Sequence, residues 1–313
     1  MDNLKKLKIG VVAGGISSER DISLKSGKAV HKSLSKNGFS SKLIDIESKK
    51  QLRSLETYKG LDLVFIMIHG KGGEDGEIQS ILEAANIKYT GSDAASSLNA
   101  FDKLRSKGIF EENGLYVPEY RRTERGLGSY DLEFGSHVVK PSREGSSFGI
   151  SILDEKRFDH DLYFHPDYLD ATHKASKYEG EVFIERFIKG RELTVAIVGE
   201  NTLPAIEIKS PNEFYDFSAK YDGIGTEYIP ANLSLDESEE LSQECLKAFK
   251  SLGCSKWGRV DLIHADASYT LFYILEVNTV PGMTETSLVP KAAKLAGLSF
   301  NDLLVEIIKA SID

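Results

Sequence analysis

The run Gly258-Arg259-Val260-Asp261-Leu262, followed further along by Glu276-Val277-Asn278-Thr279-Val280-Pro281-Gly282-Met283-Thr284, decides how the rest of the chain is read. Both runs read as strands. Residues 276 and 278 are two apart and therefore share one sheet face, with Leu275 and Val277 turned to the other. Asp261, Glu276 and Asn278 can then bring three oxygen ligands to one cleft beside the Arg259 guanidinium. A single buried carboxylate next to an arginine reads most simply as an ion pair. Three oxygen donors at this spacing favour a hard cation. Magnesium takes near-octahedral oxygen coordination, usually from one or two carboxylates together with substrate phosphates.

A second run, Lys140-Pro141-Ser142-Arg143-Glu144-Gly145-Ser146-Ser147-Phe148-Gly149, follows the apolar strand His137-Val138-Val139. Small residues let backbone N–H groups approach an anion, and Lys140 adds a point charge, a pairing that suits a triphosphate. No Gly-Lys-Ser/Thr closes it, so it is not a P-loop, and by itself it reads equally well as a hairpin turn. Between these runs, Glu181 to Val195 gives two alternating strands around a Gly-centred turn. Glu185 and Glu192 flank that turn, where a carboxylate could meet a ribose hydroxyl or an adenine amino group, or face solvent.

Composition sets limits. The chain has 313 residues, 41% hydrophobic and 28% charged, which exceeds one typical domain and can bury a large core. A net charge of -9 argues against nucleic acid or an anionic membrane as a general partner. Cys245 and Cys254 lack metal-type spacing and would face different sides of one helix, so both are expected as free thiols in a reducing compartment. The N-terminal Met1-Asp2-Asn3-Leu4-Lys5-Lys6 has no apolar core of a signal peptide, and no apolar run reaches the ~20 residues of a membrane span. A cytoplasmic protein is expected.

The order of elements predicts an α/β chain, α+β in its central and C-terminal parts. Strands at 9–13, 41–46 and 61–68, separated by helices at 24–37 and 51–58, make βαβ units of a Rossmann-like parallel sheet. Ligand loops belong at the carboxyl ends of such strands, where Gly14-Gly15 and His69-Gly70 fall. A helix over 94–113 leads to Gly114-Leu115-Tyr116-Val117-Pro118. Strands at 193–198, 258–264 and 270–278 follow, and a long helix opens on the capping box Ser234-Leu235-Asp236-Glu237 and ends by Gly253. Two helices, 288–295 and 300–312, close the chain. The predicted units are 1–97, 98–185 and 186–313. Residues 211–230 read as a lid, because four aromatics between Phe214 and Tyr221, mixed with charges and glycines, suit a long loop that folds over a ligand.

Taken together, the chain resembles the D-alanine:D-alanine ligase family of the ATP-grasp superfamily. The resemblance runs from about Ile9 to the last helix. Besides the Lys140 loop and the 259–287 block, it rests on Gly14-Gly15-Ile16-Ser17-Ser18-Glu19-Arg20-Asp21-Ile22-Ser23, His69-Gly70-Lys71-Gly72-Gly73-Glu74-Asp75-Gly76, Asp102-Lys103-Leu104-Arg105-Ser106-Lys107 and Lys220-Tyr221.

The resemblance implies an ATP-grasp fold and ligation of two D-alanine molecules at the expense of ATP. It also implies two magnesium ions on Asp261, Glu276 and Asn278, with manganese as a substitute, and a homodimer. ATP would be held by Lys103, Lys140, Ser147 and Lys220, with Glu185, Phe187, Ile188 and Glu192 around the adenosine. Glu19 would receive the first substrate's ammonium, ordered with Ser146 and Tyr221. Arg259 and the Gly282 backbone would stabilise the oxyanion, Ser287 and Leu288 would take the second carboxylate, and His69 would stand near the acceptor. Outside the motifs, Glu19 with Arg20 reads as a solvated pair, Lys103 as helix surface, Ser287 as an N-cap and His69 as a core histidine. D-alanine:D-lactate and D-alanine:D-serine ligases remain as alternatives within the resemblance, with Tyr221 favouring the dipeptide former. A non-catalytic nucleotide-binding module is the alternative from a different class.

Overall fold

The structure is a computed structural model that describes residues 2–123, 135–146, 148–154, 165–209, 225–265 and 271–312. Strand β1 (Ile9–Gly14) is buried along its whole length, and its apolar continuity is what a parallel strand covered on both faces requires. It pairs in parallel with β2 (Ser41–Ile46) and β3 (Leu63–Ile66), and β4 (Lys88–Tyr89) completes the order β2-β1-β3-β4. Helix Arg20–Lys36 covers this sheet with Val30 and Leu34. The last two helices, Leu288–Leu295 and Phe300–Ile312, return to the same core, where Val289, Leu303, Leu304 and Ile307 join Val11, Phe65 and Trp257.

The second sheet holds β5 (Tyr120–Arg122), β6 (His137–Pro141), β7 (Ser151–Leu153) and β8 (Val182–Arg186), antiparallel in the order β5-β8-β6-β7. Helix Pro166–Ala175 packs Tyr168, Ala171 and Ala175 against Val139 and Ile184. The third comprises β9 (Gly190–Val198), β10 (Asn201–Thr202), β11 (Ile206–Lys209), β12 (Glu227–Pro230), β13 (Trp257–Ala265) and β14 (Phe272–Asn278). Its order is β12-β11-β9-β13-β14, with β10 on β9. Helix Leu235–Ser251 covers it, and its start is the expected capping box: Ser234 accepts from the Glu237 N–H while Glu237 accepts from the Ser234 N–H.

Four expectations are corrected. The helix expected at 51–58 is a single turn at Lys49–Leu52 followed by a 3-10 turn at Leu55–Tyr58, because the buried Tyr58 hydroxyl donates to the Leu52 carbonyl and folds the segment back. The helix expected over 94–113 is two helices, Ala94–Phe101 and Lys103–Glu112, broken at Asp102. Asp102 is extended, and its carboxylate caps the second helix through the N–H groups of Leu104 and Arg105. The strand expected at 61–68 is shorter, Leu63–Ile66. Within 211–230, residues 227–230 are strand paired with β11, and 210–224 lie outside the described residues. Cys245 and Cys254 are free and buried, and burial pushes the Cys254 thiol up to about 12. No helix among the described residues is long and apolar enough to cross a membrane.

Candidate active site

Antiparallel pairing of β13 with β14 sets Arg259 opposite Asn278 and Asp261 opposite Glu276, so all four side chains leave one face. Val260, Leu262, Ile274 and Val277 fill the core behind it. The register slips between Asp261 and Leu262, and Ile274 pairs with Leu262. Leu275 is therefore the extra residue of a bulge, half-buried, and not the partner of Val277 on the core face that strict alternation predicts. The bulge lies under the three oxygen donors.

Each carboxylate on this face meets a cation. Asp261 accepts from Arg259 Nε at 2.8 Å and Nη2 at 2.6 Å, and from Thr194 Oγ1 on β9 at 2.6 Å. Glu276 pairs with Lys103 Nζ at 2.9 Å. Asn278 Oδ1 accepts from the Val280 N–H at 3.0 Å, which fixes the turn leading to Gly282. Among the described residues no three His, Cys, Asp or Glu side chains form a metal cluster. The third oxygen here is an amide. An all-oxygen face whose two carboxylates both draw positive charge fits a hard divalent cation.

Lys103 opens its helix because Asp102 breaks the one before it. Its ammonium also donates to the Glu144 carbonyl at 2.7 Å, joining the metal-type face to the Lys140–Gly149 loop. Burial pushes this ammonium down, but Glu276 outweighs burial and holds it above the usual lysine value. One turn further, Lys107 is fully buried and meets Glu185 Oε2 at 2.8 Å, while Lys140 contacts Glu185 Oε1. Burial opposes the Glu185 charge, and the two ammonium groups overcome it and hold its carboxyl below the usual range. Both Glu185 oxygens thus face lysines.

Glu19 occupies the N-cap position of helix Arg20–Lys36 without a side-chain capping bond. Ser146, in a left-handed conformation at φ 51°, donates its hydroxyl to Glu19 Oε1. A Cβ on Gly145 would stand 2.9 Å from Glu19 Oε2, and one on Gly70 2.7 Å from it, so the carboxylate sits in a cradle of two glycines. Burial, with Glu74 repelling, pushes the Glu19 carboxyl up against the pull of His69 and the Ser146 hydrogen bond. Arg20 is engaged elsewhere, on Asp45 and the carbonyls of Gly15 and Ile46, so the surface pair of Glu19 with Arg20 does not form.

His69 is buried, and both ring nitrogens have protein partners. Nδ1 lies 2.7 Å from the Val280 carbonyl, which can only accept, so Nδ1 carries a proton; Nε2 lies 3.1 Å from Ser26 Oγ. Ser26 also accepts from the Met283 N–H at 3.2 Å. This pair pins the Val280–Met283 loop onto the parallel-sheet part of the chain. Ser287 is the N-cap residue of Leu288–Leu295, but its hydroxyl turns to Thr284, accepting from the backbone N–H at 3.0 Å. Leu288 is half-buried beside it, and a Cβ on Gly282 would lie 3.1 Å from Ser287 Oγ.

Contacts close a ring around the cleft. Glu276 meets Lys103, Lys103 meets Glu144, Glu144 accepts from Ser18, Ser146 meets Glu19, and His69 holds the loop that continues from Asn278. The nucleotide-type residues Phe187 and Ile188 are half-buried in the link from β8 to β9, where Phe187 N–H donates to the Ser136 carbonyl at 2.8 Å, and Glu192 follows on β9. Ser147, Lys220 and Tyr221 lie outside the described residues. Lys107, Glu74, Thr194 and Ser26 join this network although the sequence reading assigned none of them a role. For Lys107 the signal was present in its spacing of four from Lys103, which puts both ammonium groups on one helix face.

The profile of the D-ala D-ala ligase C-terminus matches residues 132–309, and that of the D-ala D-ala ligase N-terminus matches residues 45–92. The chain is 40% identical over 311 residues to the D-alanine–D-alanine ligase of Pseudoalteromonas translucida, covering 97% of each chain. The chain belongs to the D-alanine–D-alanine ligase family. A family member from Alcanivorax borkumensis is 41% identical, with 98% of this chain and 94% of the relative covered. Among solved structures, the Bacillus anthracis D-alanine–D-alanine ligase superposes with a TM-score of 0.84 at 35% identity, over 98% of this chain and 97% of that one. The same enzyme complexed with ATP gives 0.82 at 33% identity, again over 98% and 97%. The fold is accordingly ATP-grasp, with a parallel-sheet N-terminal part.

Proposed function

We propose that this member of the D-alanine–D-alanine ligase family joins two D-alanine molecules into D-alanyl-D-alanine, consuming ATP and releasing ADP and phosphate, in the cytoplasm and as a homodimer. The observation that carries the reading is the β13–β14 face, where Asp261 opposes Glu276 and Arg259 opposes Asn278, in a chain 40% identical to a D-alanine–D-alanine ligase. Domain units of 1–97, 98–185 and 186–313 accompany the proposal.

Asp261, Glu276 and Asn278 would hold Mg²⁺, which when bound neutralises phosphate charge and orients the transferred group. Lys103, Lys140 and Lys220 hold the phosphates with Ser147, and Glu185, Phe187, Ile188 and Glu192 surround the adenosine. Glu19, in its glycine cradle, takes the ammonium of the first D-alanine. The carboxylate of that D-alanine attacks the γ-phosphorus, the bond to the bridging oxygen of ADP breaks, and an acyl phosphate forms. The second amine, as free base, attacks the acyl carbon. Arg259 and the Gly282 N–H stabilise the tetrahedral oxyanion, and collapse expels phosphate. Ser287 and the start of helix Leu288–Leu295 receive the second carboxylate. His69 keeps the Val280–Met283 loop in place, and Tyr221 closes over Ser146 and Glu19.

Phosphate release with a panel of D-amino and D-hydroxy acids, with mass spectrometry of the products, tests this. D-Alanyl-D-alanine as the main product supports the reading, whereas a depsipeptide or a mixed D-alanyl-D-serine product replaces it.

A further inference from the structure

Lys107 is the one residue of the lysine cluster that the proposed mechanism leaves without a task. Lysine is almost never fully buried unless paired, and a carboxylate shared between two ammonium groups leaves one positive charge over. Lys107 is 0% exposed and Lys140 6%, with Glu185 between them at 2%. The three belong to different elements: helix Lys103–Glu112, β6 and β8. Lys107 Nζ takes Glu185 Oε2 at 2.8 Å and lies 5.6 Å from the Tyr120 ring centroid, which leaves Oε1 to Lys140. Burial depresses the Lys107 ammonium further than Glu185 restores it, and the Lys140 charge adds to that depression.

We propose that Lys107 is a positioning residue for the nucleotide: by occupying Glu185 Oε2 it restricts Lys140 to the other oxygen, so that Lys140 keeps N–H donors and uncompensated charge for ATP phosphates. The proposal rests on the assignment of Lys140 to phosphate. With Lys107 gone, Glu185 has a single cation left and draws Lys140 wholly onto itself, closing an internal pair where phosphate should bind. Lys107 does not touch the nucleotide in this scheme. It acts through Glu185.

The test is a double-mutant cycle on AMPPNP affinity, measured by titration calorimetry at fixed Mg²⁺ on wild type, Lys107→Met, Lys140→Met and the double variant, with melting curves for each. Lys107→Met is expected to weaken AMPPNP by about 10-fold in the wild-type background and by less than about 2-fold once Lys140 is Met, the signature of two residues acting through one path. An equal loss in both backgrounds overturns the relay, as does a folded Lys107→Met protein with wild-type affinity beside a weakened Lys140→Met. If Lys140→Met itself binds AMPPNP normally, the phosphate assignment of Lys140 fails instead, and the relay falls with it. Should Lys107→Met melt below the assay temperature, Lys107→Gln carries the same cycle. It keeps an N–H for Glu185 and must show a smaller loss, again only where Lys140 is present; a loss independent of Lys140 overturns the proposal.

Discussion

Arg259 and Asp261, two residues apart on one strand, lock in a bidentate pair, with Nε and Nη2 of the guanidinium on the two carboxylate oxygens at 2.8 and 2.6 Å. A planar fork makes this geometry, and a lysine cannot reproduce it. Arg259→Lys is expected to lower kcat by about 10²- to 10³-fold, the usual effect of losing one oxyanion donor, while ATP affinity changes much less. Steady-state kinetics with varied ATP check it. A variant that keeps its rate at saturating ATP but binds ATP poorly would make Arg259 a nucleotide residue.

Glu276 faces Lys103 across the cleft at 2.9 Å. Glu276→Gln keeps the shape and removes the charge, so turnover should drop by orders of magnitude with the fold intact. The ammonium of Lys103 should also lose the upward push that Glu276 gives it against burial. Titration of Mg²⁺ in the assay, together with a melting curve, separates these effects. Near wild-type turnover at ordinary Mg²⁺ would remove Glu276 from the metal site.

What the sequence made legible is local. The continuous apolar run of β1, the capping box at Ser234 and the turn glycines near the ligand loops are each written within a few neighbouring residues. The convergence of Asp261, Glu276 and Asn278 on one face was legible too, because both runs read as strands and Glu276 and Asn278 sit at a spacing of two. What escaped depends on distant partners. The break at Asp102 is invisible to helical periodicity, since Arg143, from a different part of the chain, shares the carboxylate that caps the next helix. The bulge at Leu275 shows only when β13 lies alongside. The pairing of Glu185 with Lys107 joins β8 to a helix far away in the sequence and leaves no local trace.

His69 gives the fold a pH dependence. Burial pushes its imidazole down, but the Glu74 carboxylate, 3.8 Å from Nδ1, outweighs burial with help from Glu19, and the net shift is upward from 6.5. A raised histidine stabilises the fold fully below its unfolded value and loses that contribution as pH rises through the folded one. Glu19, raised from 4.5, works in the same direction: its carboxyl costs nothing below that value and destabilises as it ionises. The melting temperature of the unliganded protein should therefore decline as pH climbs above about 6.5. Glu74→Gln removes the carboxylate that outweighs burial at His69 and adds to burial at Glu19, and its decline over the same range should be shallower. Parallel curves for the two proteins would dissociate Glu74 from the effect.

Gly145 offers the cleanest probe of the first substrate's site. Its backbone is not in the left-handed region, so alanine can be accommodated without conformational strain, unlike at Gly70 with φ 66°. The added Cβ would fall 2.9 Å from Glu19 Oε2 and 3.3 Å from Oε1. Real Cβ atoms do not sit that close, so the Glu19 carboxylate has to swing away, and its hydrogen bond from Ser146 has to lengthen or break. A neutral hydrogen bond contributes about 0.5–1.5 kcal/mol and one to a charged group about 1.5–3 kcal/mol, so displacing the ammonium receptor should raise KM for the first D-alanine by at least about 10-fold. ATP affinity should hold, because the ammonium groups of Lys103 and Lys140 contact Glu276, Glu144 and Glu185 and not Glu19. Ser146→Ala removes the same bond without the added methyl and should fall between wild type and Gly145→Ala. KM values for D-alanine at saturating ATP, beside ATP titrations of the same three proteins, decide it: a Gly145→Ala enzyme whose ATP affinity collapses while its D-alanine KM stays put would assign Gly145 to the nucleotide along with Lys140 and Ser147 and leave Glu19 without its proposed role.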